Sequence, residues 1–129
     1  MKLLIIFNPK AAFGRSVNHL AEIKDNFRKR GIETHFESTL YPDHARELVA
    51  NADLSNFDGV VAAGGDGTLF EVLNGLYAHP VSARVPLGLL PIGTGNAFAR
   101  EIKTEASSLS EAIDILAHGN TRLIDVAQV

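Results

Sequence analysis

Cysteine is absent from the 129-residue chain, which excludes a disulfide framework and thiolate chemistry and suits a reducing, cytoplasmic setting. No stretch approaches the ~20 apolar residues needed to cross a bilayer, so any membrane contact is expected to be peripheral. The start, Met1-Lys2-Leu3-Leu4-Ile5-Ile6-Phe7, is too short in its apolar part for a signal peptide and is broken by Asn8-Pro9-Lys10. It reads as a buried first strand. An excess of positive charge is also missing. Twelve Lys and Arg against 15 Asp and Glu give a net charge of -3, which leaves no broad footprint for nucleic acid. The small cluster Arg28-Lys29-Arg30 reads as a solvated helix end. The five histidines, His19, His35, His44, His79 and His118, include no pair at the spacing of a helical metal site. Two nucleotide signatures are absent as well: no glycine is followed by Lys and Ser or Thr as in a Walker A loop, and GxGxxG does not occur.

The chain does have a 46% hydrophobic composition, enough to build the core of one ordinary domain spanning 1–129. Short apolar runs alternate with amphipathic stretches, the pattern of βα units feeding a parallel sheet covered on both faces. Strands are expected at Leu3 to Phe7, Ile32 to Thr39, Val60 to Ala63, Val85 to Ile92 and Thr121 to Val126. Val60-Val61-Ala62-Ala63, apolar throughout, should be a central strand. Helices are expected at Arg15 to Arg30, stopped by Gly31, at Pro42 to about Ala52, and at Thr68 to Tyr77. A short helix over Asn96 to Lys103 follows. A last one opens at the Ser108/Glu111 capping box and ends at Gly119.

Chemistry concentrates where strands give way to helices. Gly64-Gly65-Asp66-Gly67-Thr68 joins the central strand to its helix. Glycines there would permit positive φ and close approach of a ligand, while the amides and dipole of a helix start favour phosphate. Asp66 suits phosphate only with a cation such as Mg²⁺ between them, or as acceptor of the proton of an attacking hydroxyl; its structural alternative is a helix cap. Pro91-Ile92-Gly93-Thr94-Gly95-Asn96 repeats the arrangement one strand later. In a doubly wound sheet both loops would gather at the carboxyl edge of the strands. The segment Asn8-Pro9-Lys10-Ala11-Ala12-Phe13-Gly14-Arg15 would reach the same edge, with Lys10 and Arg15 able either to neutralise phosphate or to remain surface charges.

Gly64-Gly65-Asp66-Gly67-Thr68-Leu69-Phe70-Glu71-Val72-Leu73-Asn74-Gly75-Leu76, followed by Pro91 to Arg100, resembles the catalytic domain of diacylglycerol kinases, sphingosine kinases and related bacterial lipid kinases. Asn8-Pro9 and Ile124-Asp125-Val126 match family landmarks too, so the resemblance spans nearly the whole chain. It implies a three-layer, doubly wound, mostly parallel α/β fold of the NAD kinase and diacylglycerol kinase type. It also implies transfer of the ATP γ-phosphate to a lipid hydroxyl, of diacylglycerol or a sphingoid base, at a membrane surface. The nucleotide contacts it implies are Asn8, Pro9, Lys10, Ala11 and Ala12 in the first loop; Thr39; Gly64, Gly65, Asp66, Gly67, Thr68, Leu69, Phe70 and Glu71; and Gly93, Thr94, Gly95 and Asn96. Asp66 would be catalytic and, with Asp125, would serve Mg²⁺. The family's second, β-sandwich domain is expected to be missing, leaving a fragment inactive alone whose uncovered apolar edge could drive a homodimer. Three positions depart from the pattern: Ala12 stands for a common glycine, Phe70 for asparagine, and Ala97 for the aspartate of many bacterial enzymes. An NAD kinase-like enzyme and a nucleotide-binding module without catalysis are the competing interpretations.

Overall fold

The computed structural model describes residues 1–10, 19–92 and 109–118. Its four strands are β1 (Lys2–Phe7), β2 (Glu33–Ser38), β3 (Gly59–Gly64) and β4 (Leu87–Pro91). Among them run α1 (Leu20–Lys29), α2 (His44–Ala50) and α3 (Asp66–Tyr77), with α4 (Leu109–Ala117) after β4 and short 3₁₀ turns at Leu54–Asn56 and Val81–Ala83. All pairings are parallel and the order is β2-β1-β3-β4. The expected strand over Thr121 to Val126, the short helix over Asn96 to Lys103 and the Ser108 cap lie outside the described residues.

Strand alternation explains the layers. Leu3, Ile5 and Phe7 with Val61 and Ala63 pack on Ile23 and Phe27 of α1 and Ala112 and Ile113 of α4. Leu4, Ile6, Val60 and Ala62 face the other way, onto Ala45 and Val49 of α2 and Leu69, Val72 and Leu76 of α3. The sheet thus lies between two helix layers, as the buried apolar runs require. Every residue of β3 is buried, in keeping with its place between β1 and β4. β2 lies at the edge of the described sheet and carries Glu33 and Glu37 with His35 on one face, and the two carboxylates discourage edge-to-edge pairing.

Several expected boundaries move for local reasons. α1 ends in a Schellman motif: Gly31 at φ 70° donates to the Arg28 carbonyl at 3.0 Å and Ile32 to that of Phe27 at 3.1 Å. Ile32 is used by that motif and β2 starts one residue later. Asp43 sits at φ 70°, so α2 cannot include Pro42 and Asp43. α3 begins at Asp66, two residues ahead of the expected Thr68. Against α2 it packs closely at Gly75, where a Cβ would stand 2.7 Å from both the Arg46 carbonyl oxygen and Val49 Cβ. His79 Nε2 meets the Val49 carbonyl oxygen at 2.8 Å, fastening the far ends of the same two helices. Arg84 closes the C-terminus of α3 by donating to the carbonyls of Leu76 and His79, both at 3.1 Å.

The basic cluster at the end of α1 is only partly a solvated end. Arg28 and Lys29 pair with Asp25 on their own helix, but Arg30 reaches across to Asp114 of α4 at 2.6 Å. The Arg30 guanidinium holds the Asp114 carboxyl below its ordinary value. A depressed carboxyl contributes stability above its unfolded pKa of 3.8 and loses it as pH falls through the folded value. Wild type should therefore melt above Asp114→Asn between pH 7 and 5. That margin should close below pH 3.8, and thermal melts across this range check it.

Candidate functional site

β1 leads to β2 on one side and, through β3, the chain continues on the other, so the carboxyl ends of β1 and β3 diverge at a topological switch point. Beyond the strands proper, backbone bonds continue across this edge. Thr39 N–H donates to the Phe7 carbonyl at 2.9 Å, Asn8 N–H to Ala63 at 3.0 Å, and Ile92 N–H to Gly64 at 3.2 Å. Four strand ends are thereby held in one row.

Asn8 joins three of them. Its Nδ2 donates to Thr68 Oγ1 at 3.1 Å. Its Oδ1 accepts from the Lys10 N–H at 2.9 Å, a side chain-to-backbone turn, and lies 3.5 Å from the Thr39 hydroxyl. Asn8, Thr39 and Thr68, widely separated in sequence, are therefore brought together. The Asn-Pro pair after a strand marks a turn but carries no sign of these distant partners.

Between β3 and α3 there is a single linking residue. Gly64 ends the strand, Gly65 is the N-cap at φ -98°, ψ -165°, and Asp66, Gly67 and Thr68 form the first turn of α3. Asp66 is half-buried and lies inside the helix, so the cap position that was its structural alternative belongs to Gly65. The first amides of α3 have no preceding helical carbonyl to bond, and with the dipole they favour an anion beyond the helix end.

The glycines act differently from expectation. Gly31 is the one described glycine with positive φ. Gly64 is required by packing, because a Cβ there would lie 2.6 Å from Thr68 Oγ1 and 3.3 Å from Asn8 Cβ. Gly67 is exposed, and a Cβ built on it meets nothing within 4 Å. One glycine lets the site close on itself; the other leaves clear space at the helix start.

The remaining expected residues separate by environment. Thr68 and Leu69 are buried at 5% and 3% exposure, and the Leu69 side chain belongs to the core with Leu4 and Ile6. Phe70 is exposed, Pro9 is half-buried and Lys10 is exposed. Glu71 Oε1 accepts from the Ala45 N–H of α2 at 3.2 Å. Ala11, Ala12, Gly93, Thr94, Gly95, Asn96 and Asp125 lie outside the described residues, as does Ala97. Among the described residues no group of three or more His, Cys, Asp or Glu is arranged to hold a metal ion. Mg²⁺ habitually keeps waters and phosphate oxygens beside one or two carboxylates, and the Asp66 carboxylate at an anion-attracting helix end fits that habit. Grooves on either face of β2, one lined by Lys24, Arg28 and Phe36 and the other by His35, Tyr41 and Glu47, include neither Asn8 nor Gly67.

The family model of the diacylglycerol kinase catalytic domain matches residues 2–129. The chain belongs to that family. A diacylglycerol kinase of Bacillus subtilis (strain 168) is 39% identical over 127 residues, covering 97% of this chain and 41% of the relative. Sphingosine kinase 1 of Arabidopsis thaliana is 34% identical over 139 residues, covering 99% of this chain and 28% of the relative. The crystal structure of a diacylglycerol kinase from Bacillus anthracis str. Sterne superposes with a TM-score of 0.77 at 30% identity, over 92% of this chain and 42% of that one. The chain thus spans less than half the length of these family members. Within the described residues no helix is long and apolar enough to cross a membrane.

Proposed function

We propose that this chain is the ATP-binding part of a lipid kinase that transfers the γ-phosphate of ATP to the hydroxyl of a diacylglycerol or sphingoid-type lipid. The observation that carries this reading is the joining of Asn8, Thr39 and Thr68 at the switch point, beside a helix start kept clear by Gly67. The phosphates would lie over the first turn of α3, drawn by its amides and dipole, with Lys10 close in sequence to Asn8 to offset their charge. The loop of Gly93, Thr94, Gly95 and Asn96 would supply further contacts from the end of β4, and Asp125 would support the metal site. Mg²⁺, when bound, neutralises charge on the β- and γ-phosphates.

Asp66 would hold that ion, or take the proton as the lipid oxygen bonds to phosphorus and the bond from phosphorus to the bridging oxygen breaks, releasing ADP. Most of the rate enhancement in such chemistry comes from positioning and electrostatics, for which rigid strand ends are suited. The lipid would be met at a membrane surface by a protein approaching from the cytoplasm.

Calorimetric titration of the chain with ATP, with and without Mg²⁺, tests the reading, with NAD, ADP and GTP as comparisons. ATP should bind more tightly with Mg²⁺. Asp66→Asn should lose that gain while binding metal-free ATP at least as well as wild type, because it removes a charge that repels phosphate. A chain that binds none of these nucleotides at millimolar concentration sinks the reading. A preference for NAD transfers it to an NAD kinase-like enzyme.

A further inference from the structure

We propose that Glu71 is a positioning residue that sets the place of Thr39, and that it does so by supporting the start of α2 instead of touching the nucleotide. This deepens the nucleotide reading above and rests on it for one of its two measurements.

α2 lacks a cap of its own. Its N-cap residue Asp43 is in the left-handed region and makes no side-chain capping bond; its carboxylate is turned to Arg46, with Nε to Oδ2 at 2.8 Å. The carboxylate that meets an α2 amide comes from another helix: Glu71 Oε1 accepts from Ala45 N–H at 3.2 Å. Glu71 follows Gly67 and Thr68 by four and three positions, so it shares their side of α3, one turn below the candidate phosphate position. A carboxylate at a helix start is stabilised by both the amide and the dipole.

The segment between Ala45 and Thr39 is short and internally braced. Leu40 N–H donates to His44 Nδ1 at 2.9 Å, His44 N–H donates to the Tyr41 carbonyl at 3.1 Å, and the Tyr41 ring stacks on His44 with centroids 4.2 Å apart. Displacing Ala45 therefore displaces Leu40, and with it Thr39. At its other end Thr39 lies against Asn8, which bonds Thr68 on the same helix that carries Glu71. The contacts close a ring: Asn8, Thr68, α3, Glu71, Ala45, the 40–44 segment, Thr39 and back to Asn8. Glu71 is the polar fastening on the side opposite Asn8, added at the near ends of α2 and α3 to their packing at Gly75, and so bears on the span between Thr39 and the first turn of α3.

The test compares Glu71→Ala with Glu71→Gln, which keeps an acceptor oxygen and gives up the charge. The first measurement is amide hydrogen exchange on the unliganded chain. Glu71→Ala should speed exchange at both Ala45 and Leu40 by about tenfold, and Glu71→Gln by no more than about threefold. Acceleration at Ala45 without Leu40, or at neither, overturns the proposal. The second is ATP affinity with Mg²⁺. Glu71→Ala should weaken binding about tenfold, Glu71→Gln should restore most of it, and Glu71→Ala combined with Thr39→Val should lose little beyond the worse single variant. Equal losses in Gln and Ala variants, or full additivity with Thr39→Val, would mean that Glu71 meets the nucleotide or its cation directly and would overturn the proposal. Exchange is read without nucleotide, so a wild type that binds no ATP counts against the nucleotide reading and leaves exchange to uphold or overturn this one.

Discussion

Gly67→Val should leave the fold intact and reduce ATP binding at least about a hundredfold, since a misplaced or excluded phosphate loses several favourable contacts together. Ordinarily a valine in place of glycine at a strand-to-helix junction would be expected to unfold the turn. Here a Cβ on residue 67 meets nothing within 4 Å, the backbone is not left-handed, and the residue already lies within α3. The milder Gly67→Ala should stabilise the chain, by up to about 0.5–1 kcal/mol, because glycine is the costlier residue inside a helix. Its melting temperature should rise by about 2–4 °C while ATP affinity falls. Opposite signs in the two measurements are the signature of a position kept small for a ligand. A variant that binds ATP normally would show that no phosphate approaches this turn.

Replacing Asn8 should have the opposite character, with stability and binding falling together. Asn8→Ala removes the donor to Thr68, whose hydroxyl is on a residue only 5% exposed, and the acceptor for Lys10 and Thr39. A buried polar group left without its partner costs about 1–3 kcal/mol, so the melting temperature should drop by about 4–12 °C. Asn8→Asp separates the two effects. The Thr68 hydroxyl can turn and donate to the carboxylate, so most of the stability should return. The new negative charge beside the phosphates should still weaken ATP binding by about tenfold or more. Melting curves and titrations of the two variants check this. Equal stability losses in both would mean that the geometry of the amide, and not its hydrogen bonds, holds the strand ends.

The difference between these positions shows what the sequence could and could not convey. β1 and β3 were legible because five or six consecutive apolar or small residues have few other places to go than a strand buried on both faces. The end of α1 was legible from Gly31, but the Schellman bond that takes Ile32 out of β2 depends on backbone geometry that residue types do not encode. Asp66-Gly67 looked like loop because Asp and Gly are poor helix formers, yet packing of Leu69, Val72 and Leu76 against the sheet sets the start of α3 and overrides them. The glycine motif was read in terms of positive φ, but free space at Gly67 and contact with Thr68 at Gly64 account for its glycines instead. Leu69 shares the motif but spends its side chain on the core. The meeting of Asn8 with Thr68, and of Glu71 with Ala45, depends on strand order and helix packing, which no local spacing encodes.

β1 is flanked by two strands that are both made after it. Its five buried residues can gain β2 once the chain has passed Ser38, but the other side stays uncovered until Gly59–Gly64 has been synthesised and has crossed to take its place. Neither helix layer can be completed before then, since α3 follows β3 and α4 follows β4. A nascent chain halted ahead of Gly59 would present Leu3 to Phe7 as an open parallel edge, the kind of surface on which aggregation begins and to which chaperones bind. Arrival of one short strand therefore turns a sticky intermediate into a sheet ready to be closed, and among the described strands this pairing of β1 with β3 spans the most sequence, which slows folding.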